Sequence, residues 1–203
     1  MLVVMALAGL ASVVAVILTL GHANQQRDRA LEAQRHSYDV MILARTLSGT
    51  IARAEASLGR YVISGDQQLG ELFSNDWADA GSRLERLDHI TNDRQQSRID
   101  ALRLAYLQRG AELNLIALST RYHKNAQAIA LYYKARRAPT LAAIDDALDA
   151  LGDDERRLLD VRTDAAMGSV DRSNRIAGLL AGIGLLLVIG AVALGWITVR
   201  SLA

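Results

Sequence analysis

Residues 33–61, AQRHSYDVMILARTLSGTIARAEASLGRY, carry a regular helical packing pattern. Apolar or small side chains recur in it at alternating steps of four and three residues, over about four heptads. This spacing is typical of a long helix that packs against other helices in coiled-coil fashion. It predicts a core face made of Ala33, Ser37, Val40, Ala44, Leu47, Ile51, Ala54, Leu58 and Tyr61.

This first helix is predicted to end at Ser64-Gly65-Asp66. Glycine readily takes the left-handed conformation just past a helix end, and aspartate is a favoured N-cap for the next helix. Further turn signals are Thr91-Asn92-Asp93 and the segment around Pro139. The apolar pattern changes phase near Gly110, so we expect an irregularity there, and the uneven helix lengths imply a broken third helix or a protruding end. The predicted helices are 24–64, 66–91, 94–136 and 140–175.

Four amphipathic helices with short connections predict an all-α fold, an antiparallel up-down four-helix bundle flanked by transmembrane helices. The chain would then leave the bundle at the end where it entered. The predicted core faces of the later helices are Leu69, Phe73, Trp77, Ala80, Leu84, Leu87 and Ile90; Ile99, Leu102, Tyr106, Leu113, Ile116, Tyr122, Ile129 and Tyr133; and Leu141, Ile144, Leu148, Leu151, Glu155, Leu158, Arg162 and Ala165.

The distribution of charge predicts two transmembrane helices around this bundle. The 203 residues include 23 Lys plus Arg and 22 Asp plus Glu, yet residues 1–21 and 176–199 carry no charge. A spanning helix needs about 20 apolar residues. We therefore expect spans at 1–21 and 176–199, a domain at 22–175, and the start of a cytoplasmic segment at 200–203. The alternative for the first block is a signal peptide cleaved near Gly21-His22-Ala23, but the block lacks a basic n-region and its apolar run is long.

Composition and motifs point away from catalysis. Basic and acidic residues are interleaved, which argues against nucleic acid as a partner. The chain has no cysteine, which excludes disulfides and thiolate sites. Glu32/His36 and Glu85/His89 are four residues apart, whereas di-iron bundles space their Glu and His ligands three apart. We predict no catalytic residues, no metal and no cofactor.

Two charged residues fall on the core face of the fourth predicted helix. Glu155 and Arg162 lie seven residues apart there. A charge on a core face must be paired or hydrated. Either a phase shift turns both side chains outward, or they form a polar layer that fixes register or takes part in ligand binding or signalling.

The second predicted span carries small residues at helical spacing. Gly178 and Gly182 form one pair, and Ala191 and Gly195 form another. Small residues four apart let transmembrane helices pack closely, although glycine and alanine also face lipid in many spans. The two interpretations stay open.

Several stretches resemble a known family. Gly59-Arg60-Tyr61-Val62-Ile63-Ser64-Gly65-Asp66 resembles the Arg-Gly-Tyr-Leu-Leu-Thr-Gly-Asp stretch of the third type of CHASE domain, with the first two residues reversed. Leu87–Asp93 with Gln96 resembles the family's next turn, although Arg94 stands where proline is common. Glu155-x-x-Leu158-Leu159-x-x-Arg162 resembles its last helix. The resemblance covers about residues 35–170.

The resemblance implies the extracellular input module of a bacterial receptor, such as a sensor histidine kinase, a cyclase or a chemoreceptor. We expect a two-pass homodimer in the lipid of the inner membrane, with a periplasmic middle domain and a small molecule or protein as stimulus. A cytoplasmic output module, a histidine kinase or a diguanylate cyclase, would follow the second span, and the chain itself would not be an enzyme. Arg60, Tyr61, Glu155 and Arg162 are the candidate functional residues, and Ser64, Gly65 and Asp66 the turn motif. The alternatives are a chemoreceptor-type four-helix sensor and a membrane scaffold without a ligand.

Overall fold

The computed structural model describes residues 2–91 and 95–200. Within these two ranges the chain forms helices and no strand, which confirms the predicted all-α class. The helices are α1 (Leu2–Ser64), α2 (Gln67–Ile90), α3 (Gln96–Arg121), α4 (Asn125–Ala135) and α5 (Pro139–Arg200).

Two compact units share the two long helices. One unit is Arg35–Leu158, and the other combines residues 2–34 of α1 with residues 159–200 of α5. Both helices are unbroken across the boundary between the units, as the lack of turn signals in the sequence predicts. The first unit is shorter than the domain expected at 22–175. We call residues 22–34 and 159–175, which fall outside it, the two-helix segment.

The Arg35–Leu158 unit contains two hydrophobic clusters, and each draws on four helices. In the first, apolar residues of α1, α2, α3 and α5 pack together, for example Leu47, Leu87, Leu102 and Ile144, which are fully buried. In the second, α4 takes the place of α5 and contributes Ala128 and Ala135. The two clusters therefore share α1, α2 and α3 and differ in whether α4 or α5 takes part.

The core face predicted for α1 is confirmed from Ser37 to Tyr61, where every member is at most 5% exposed. Ala33, its first predicted member, is half-buried and belongs to the other unit. Burial of this continuous face is the main apolar contribution of α1 to the fold.

The helix predicted at 94–136 is wrong in its second half. The structure ends α3 at Arg121 and starts α4 at Asn125. His123 adopts a left-handed conformation with φ 56°, and the Lys124 amide donates to the Ser119 carbonyl at 2.9 Å, which closes the helix end. The break shifts the phase of the following helix. The side chains predicted for the core there, Tyr122, Ile129 and Tyr133, are therefore exposed.

The other helix boundaries follow local chemistry. Pro139 occupies the first position of α5, where its missing N–H costs no helical hydrogen bond. Through Gly110, α3 continues as α-helix, so the break lies further along the chain than expected. Thr91 caps α2, since its amide donates to the Leu87 carbonyl at 3.0 Å. The rest of that predicted turn, residues 92–93, lies outside the described residues, as does Arg94.

Among the described residues, one helix is long and apolar enough, by length and composition, to cross a membrane. The qualifying stretch lies within Pro139–Gly190 of α5, and its apolar window is not buried by the rest of the chain. This helix includes the larger part of the span predicted at 176–199. Of the predicted cytoplasmic segment, Arg200 ends α5, and residues 201–203 lie outside what the structure describes.

Candidate signalling site

The α1–α2 turn is built as the motif predicts. Gly65 has φ 71°, and its amide donates to the Tyr61 carbonyl at 2.8 Å. The Asp66 carboxylate accepts from the Gln68 amide at 2.9 Å and caps α2. The Ser64 hydroxyl donates to the backbone one turn earlier and accepts from the Asp66 amide. All three motif residues are exposed and engaged in the turn, so their geometry is that of a helix junction.

Tyr61 is a packing residue of this junction. Its side chain is buried, and its ring lies against Gly70 of α2, where an added Cβ would approach the ring to 3.0 Å. The neighbouring Gly59 fits under the Tyr132 hydroxyl, to which an added Cβ would come within 2.6 Å. Glycine at both positions thus lets α1 approach α2 and α4 closely. Arg60, by contrast, is exposed, and its guanidinium donates to a hydroxyl of its own helix at 3.4 Å.

Glu155 lies in the core, as its position on the apolar face of α5 predicts. It is fully buried, and its Oε1 accepts from Gln95 Nε2 at 2.9 Å. Its Oε2 and the Gln95 Oε1 are buried without a hydrogen-bond partner among the residues that the structure describes. His36 Nε2, on α1, is also buried without a hydrogen-bond partner among these residues. A buried polar atom without a partner carries a desolvation cost, so these atoms are weak points of the Arg35–Leu158 unit.

Arg162 belongs to the other compact unit. It is half-buried, and its Nη1 donates to the Ala33 carbonyl at 3.4 Å. Seven residues along a helix amount to about 10 Å. Glu155 and Arg162 therefore share a helix but belong to different units.

A buried arginine that the predicted core faces omit links the helices. Arg109 of α3 is 1% exposed, and it binds both oxygens of Glu55 on α1, at 2.8 and 3.0 Å. Its Nη1 donates to Glu112 at 3.0 Å and to the carbonyl of Ala135, the last residue of α4, at 2.7 Å. Thr140, near the start of α5, donates to Glu112 at 2.8 Å. Bidentate arginine–carboxylate pairs are among the strongest hydrogen bonds in proteins, so this cluster fixes the positions of four helices.

The electrostatics of the cluster follow from its burial. Burial opposes the charge on Arg109, but the hydrogen bonds and charges of Glu55 and Glu112 outweigh that effect, so the pKa of Arg109 is raised. The pKa of Asp145 on α5 is also raised, first by burial and then by the nearby charges of Asp149 and Glu55. The guanidinium therefore stays charged, whereas the Asp145 carboxylate is held in an unfavourable field.

An aromatic stack joins α2 to α3. The rings of Trp77 and Tyr106 lie 4.6 Å apart and 4° from parallel, and the Tyr106 hydroxyl donates to the Trp77 carbonyl at 2.6 Å. Gly110 lies against the indole, and Gly81 lies against the phenol. Burial is the largest cause that raises the pKa of Tyr106 to about 12. Gly110, expected to mark an irregular helix, is instead a contact point of this stack.

A signal for Arg109 was present in the sequence. The positions 95, 99, 102, 106, 109, 113 and 116 step 4-3-4-3-4-3 without a break. When polar side chains are excluded from the core face, Gln95 and Arg109 drop out, and a step of seven residues, one full heptad, remains between Tyr106 and Leu113. The spacing alone places both residues inside.

The predicted packing residues of the second span lie on α5. Gly178 and Gly182 are exposed, and a Cβ added at either would meet nothing within 4 Å. Ala191 and Gly195 are helical in backbone, and their surroundings lie outside what the structure describes. Contacts within the described part of one chain therefore give no reason for glycine at 178 or 182.

The polar residues form links between helices. The links are a capped junction, a buried arginine cluster and a buried amide–carboxylate pair. The described residues hold no group of three or more His, Asp or Glu able to bind a metal ion. Links between helices hold them in defined registers, a requirement for passing a displacement from one end of a domain to the other. The arrangement defines a class of protein, an all-helical module whose helices are joined by buried polar contacts.

Comparison with known families agrees with this class. The family model of the CHASE3 domain matches residues 30–165, more than half of the chain. The chain belongs to the CHASE3 family, an extracellular sensory domain of bacterial receptors. No curated protein and no solved structure matches the chain significantly.

Proposed function

We propose that this chain is the extracytoplasmic input module of a bacterial membrane receptor and that it transmits a stimulus along α1 and α5. The observation that carries the proposal is the position of the CHASE3 match, residues 30–165. On both sides of the match, α1 and α5 continue unbroken into uncharged sequence, residues 2–21 and 176–199. A sensory domain whose first and last helices continue into apolar segments has a direct mechanical route to a membrane.

The fold that we propose for the Arg35–Leu158 unit is an antiparallel four-helix bundle in which α4 and α5 together form the last member. The support comes from the two hydrophobic clusters, each of which unites four helices. Short connections between successive helices favour antiparallel neighbours. Both long helices would then leave the bundle at one end.

Two spans, at 1–21 and 176–199, would anchor the chain in the inner membrane with the bundle in the periplasm. The apolar stretch of α5 supports the second span. The absence of charge in 1–21 supports the first. A long domain translocates largely regardless of its charges, so the arginines near the bundle do not oppose this orientation.

The mechanism that we propose is a small displacement of α1 against α5. Shifts or rotations of about 1–2 Å are the usual scale of signalling movements between packed helices. A stimulus drives such a shift only if it binds the two arrangements unequally. We propose further that the receptor is a homodimer and that its cytoplasmic output module is a histidine kinase.

Cysteine labelling in intact cells tests the topology, because the chain has no cysteine of its own. Ser82→Cys lies at an exposed position of α2, and Arg200→Cys lies beyond the second apolar segment. A membrane-impermeant maleimide should label the first variant in intact cells and the second only after lysis. The reverse pattern would show that the bundle is not periplasmic, and labelling of both variants or of neither in intact cells would contradict the two-span topology.

A thermal-shift screen tests the sensing function. A ligand that binds only the folded chain raises its melting temperature, by an amount that grows with the ratio of ligand concentration to Kd. We expect at least one small metabolite or peptide to raise the melting temperature of the purified chain in a saturable manner. A broad collection that shifts nothing would favour the scaffold over the sensor.

A further inference from the structure

Helix α4 is apolar on two sides, although only one side is packed. On the packed side, Ala128 and Ala135 are buried in the second hydrophobic cluster. Another side carries a second stripe with the spacing i, i+3, i+4 and i+7, and its exposed members are Ala126, Ile129, Ala130 and Tyr133. We call this stripe the outer face of α4. A helix that is apolar all round is normally buried all round, so the outer face has the pattern of a surface that a further element covers.

Both ends of the outer face are positively charged. The stretch 113–144 contains five Lys or Arg and no Asp or Glu, whereas the net charge of the whole chain is only +1. All five cations are exposed, and none forms an ion pair within the described part of the chain. Two precede α4, one lies in its last turn and two follow it: Arg121, Lys124, Lys134, Arg136 and Arg137. An apolar face between two groups of uncompensated cations fits a partner with the opposite charges.

The start of α4 lacks the usual capping groups. Its N-cap residue is Lys124, no side chain caps it, and its first turn contains no acidic residue. The free amides and the dipole of a helix N-terminus favour negative charge, and Lys124 places a positive charge there instead. A carboxylate from another molecule would accept hydrogen bonds from these amides and neutralise the lysine.

We propose that the outer face of α4 is the docking site for an amphipathic helix of another protein, one whose apolar stripe lies between acidic residues. Amphipathic helices commonly bind through anchors spaced i, i+3, i+4 and i+7, the spacing of the outer face itself. The 11 residues of α4 are about 16 Å long, so the acidic groups of the partner would lie about three helical turns apart. The proposal names the class of stimulus for the receptor, and for that role alone it rests on the proposed function.

The outer face favours this partner over three other occupants. A polyanion without apolar groups would meet the cations but leave Ile129 and Tyr133, which are 43% and 59% exposed, uncovered. A second copy that docked through its own outer face would bring cations against cations. Lipid is disfavoured by distance under the proposed topology. Along α1, the stretch from residue 21 to Ala54, which begins with the α1 part of the two-helix segment, is about 50 Å long, and the cluster that holds α4 includes Ala54.

A synthetic helix tests the chemistry of the outer face. The probe is a fluorescent peptide of about five helical turns, roughly 18 residues, with leucines spaced i, i+3, i+4 and i+7 between glutamates at both ends. One control peptide has lysine for each glutamate, and the other has serine for each leucine. We expect the purified chain to bind the probe saturably by fluorescence anisotropy, and each control about tenfold more weakly or worse. Absence of probe binding, or equal binding of the serine peptide, would overturn the proposal, since the second result would show attraction of any polyanion.

Charge reversal locates the binding site of the probe. Arg136→Glu combined with Arg137→Glu should weaken probe binding about tenfold, because two attractions become two repulsions. The matched control reverses Arg45 and Arg86, two exposed arginines of α1 and α2 that form no ion pair within the described part of the chain. It should leave the affinity within about twofold, since exposed charges more than a Debye length away are screened. Equal losses in the two double variants would contradict docking at α4.

Polar substitutions test the apolar contribution. Ile129→Gln combined with Tyr133→Gln should weaken probe binding about tenfold, because the leucines of the probe lose their contacts. The control is Leu104→Gln combined with Leu107→Gln, at positions of α3 that are 58% and 61% exposed. Circular dichroism establishes that each variant is folded, and an equal loss in test and control would count against the proposal.

The remaining outcomes separate this proposal from its rivals and from the proposed function. If Arg136→Glu with Arg137→Glu lowers the molecular mass of the purified chain, or abolishes its binding to anionic lipid vesicles while probe binding persists, the face belongs to a second copy or to a membrane and the proposal is overturned. External labelling at Ser82→Cys without probe binding would leave the receptor and remove the docking site. Probe binding without external labelling would keep the docking site and remove the receptor.

Discussion

Arg109 shows what a single buried charge does in this fold, since it is bonded to side chains or backbone of α1, α3 and α4. Arg109→Ala would leave the partly buried Glu55 without its cation, and we expect the free energy of unfolding to fall by about 3 kcal/mol. The matched control is Arg83→Ala, which removes a half-exposed pair with Asp79 inside α2 and should cost less than about 1 kcal/mol. Chemical unfolding of the purified chain, followed by circular dichroism, measures both. Equal losses would show that the buried cluster contributes no more than a surface pair.

Substitutions in the Gln95–Glu155 pair should affect stability differently from the loss of Arg109. Each residue of this pair keeps a buried polar atom without a partner in the described part of the chain. Gln95→Met alone removes the hydrogen bond that Glu155 accepts and should cost about 1–3 kcal/mol. Replacing both residues by methionine removes the polar atoms together, and we expect stability within about 1 kcal/mol of the natural chain, or higher. Chemical unfolding ranks the three chains. If the double variant is the least stable, then the pair is a structural requirement and the expectation is wrong.

The sequence predicts which polar residues lie in the core, but it does not predict which residues they form hydrogen bonds with. Glu155 followed from its place on the apolar face of α5, and Arg109 follows from the same rule once charged residues are admitted. Their partners come from distant parts of the chain, as with Glu55 and Gln95. Which carboxylate meets which donor depends on the relative heights of packed helices. Spacing within one helix carries no information about that height.

At the level of helices, glycine stabilises the fold at one position and destabilises it at another. Gly65 has φ 71°, and Gly65→Ala should lower stability by about 1–2 kcal/mol because an L side chain is strained in the left-handed region. Gly152 lies inside α5, where an added Cβ would meet nothing within 4 Å. Gly152→Ala should therefore raise stability by about 0.5–1 kcal/mol. Thermal unfolding of the two variants checks the contrast, and a loss at Gly152 would point to a close contact that a single chain does not make.

Whether the sequence predicts a helix boundary depends on the kind of residue that ends or starts the helix there. Glycine with aspartate at 65–66 and proline at 139 act through backbone preferences that the sequence displays directly, and both boundaries fall where expected. The end of α3 depends on His123 in a left-handed conformation that is uncommon for a residue other than glycine. Residues 121–124 contain no glycine or proline, so the sequence there does not predict a helix end.

For the molecule as a whole, the stability at alkaline pH should follow Tyr106. Burial holds its pKa at about 12, above the value of about 10 in an unfolded chain. The neutral phenol thus favours the folded state, a contribution that is present below about pH 10 and is lost as pH rises from about 10 to about 12. Tyr106→Phe should flatten this part of the profile of melting temperature against pH. Tyr133→Phe, at an exposed tyrosine, is the control and should leave the slope unchanged.

At acid pH, protonation of two aspartates should change the stability of the fold in opposite directions. Hydrogen bonds from Gln96 and then Arg103 lower the pKa of Asp88, so its ionised form stabilises the fold above about pH 4, and this contribution is lost as pH falls through its folded-state pKa. Asp145 has a raised pKa, so its ionised form opposes folding at neutral pH, and protonation relieves the penalty as pH falls.

Replacing each aspartate by asparagine tests these signs through the melting temperature at neutral and acid pH. Asp88→Asn should lower the melting temperature at neutral pH and flatten the acid decline, because the stabilising charge is absent throughout. Asp145→Asn should raise the melting temperature at neutral pH, with a gain that disappears toward about pH 3, where the natural carboxyl group is itself protonated. Equal shifts at both pH values would contradict the assignment, because they would show that the substitutions act through packing and not through charge.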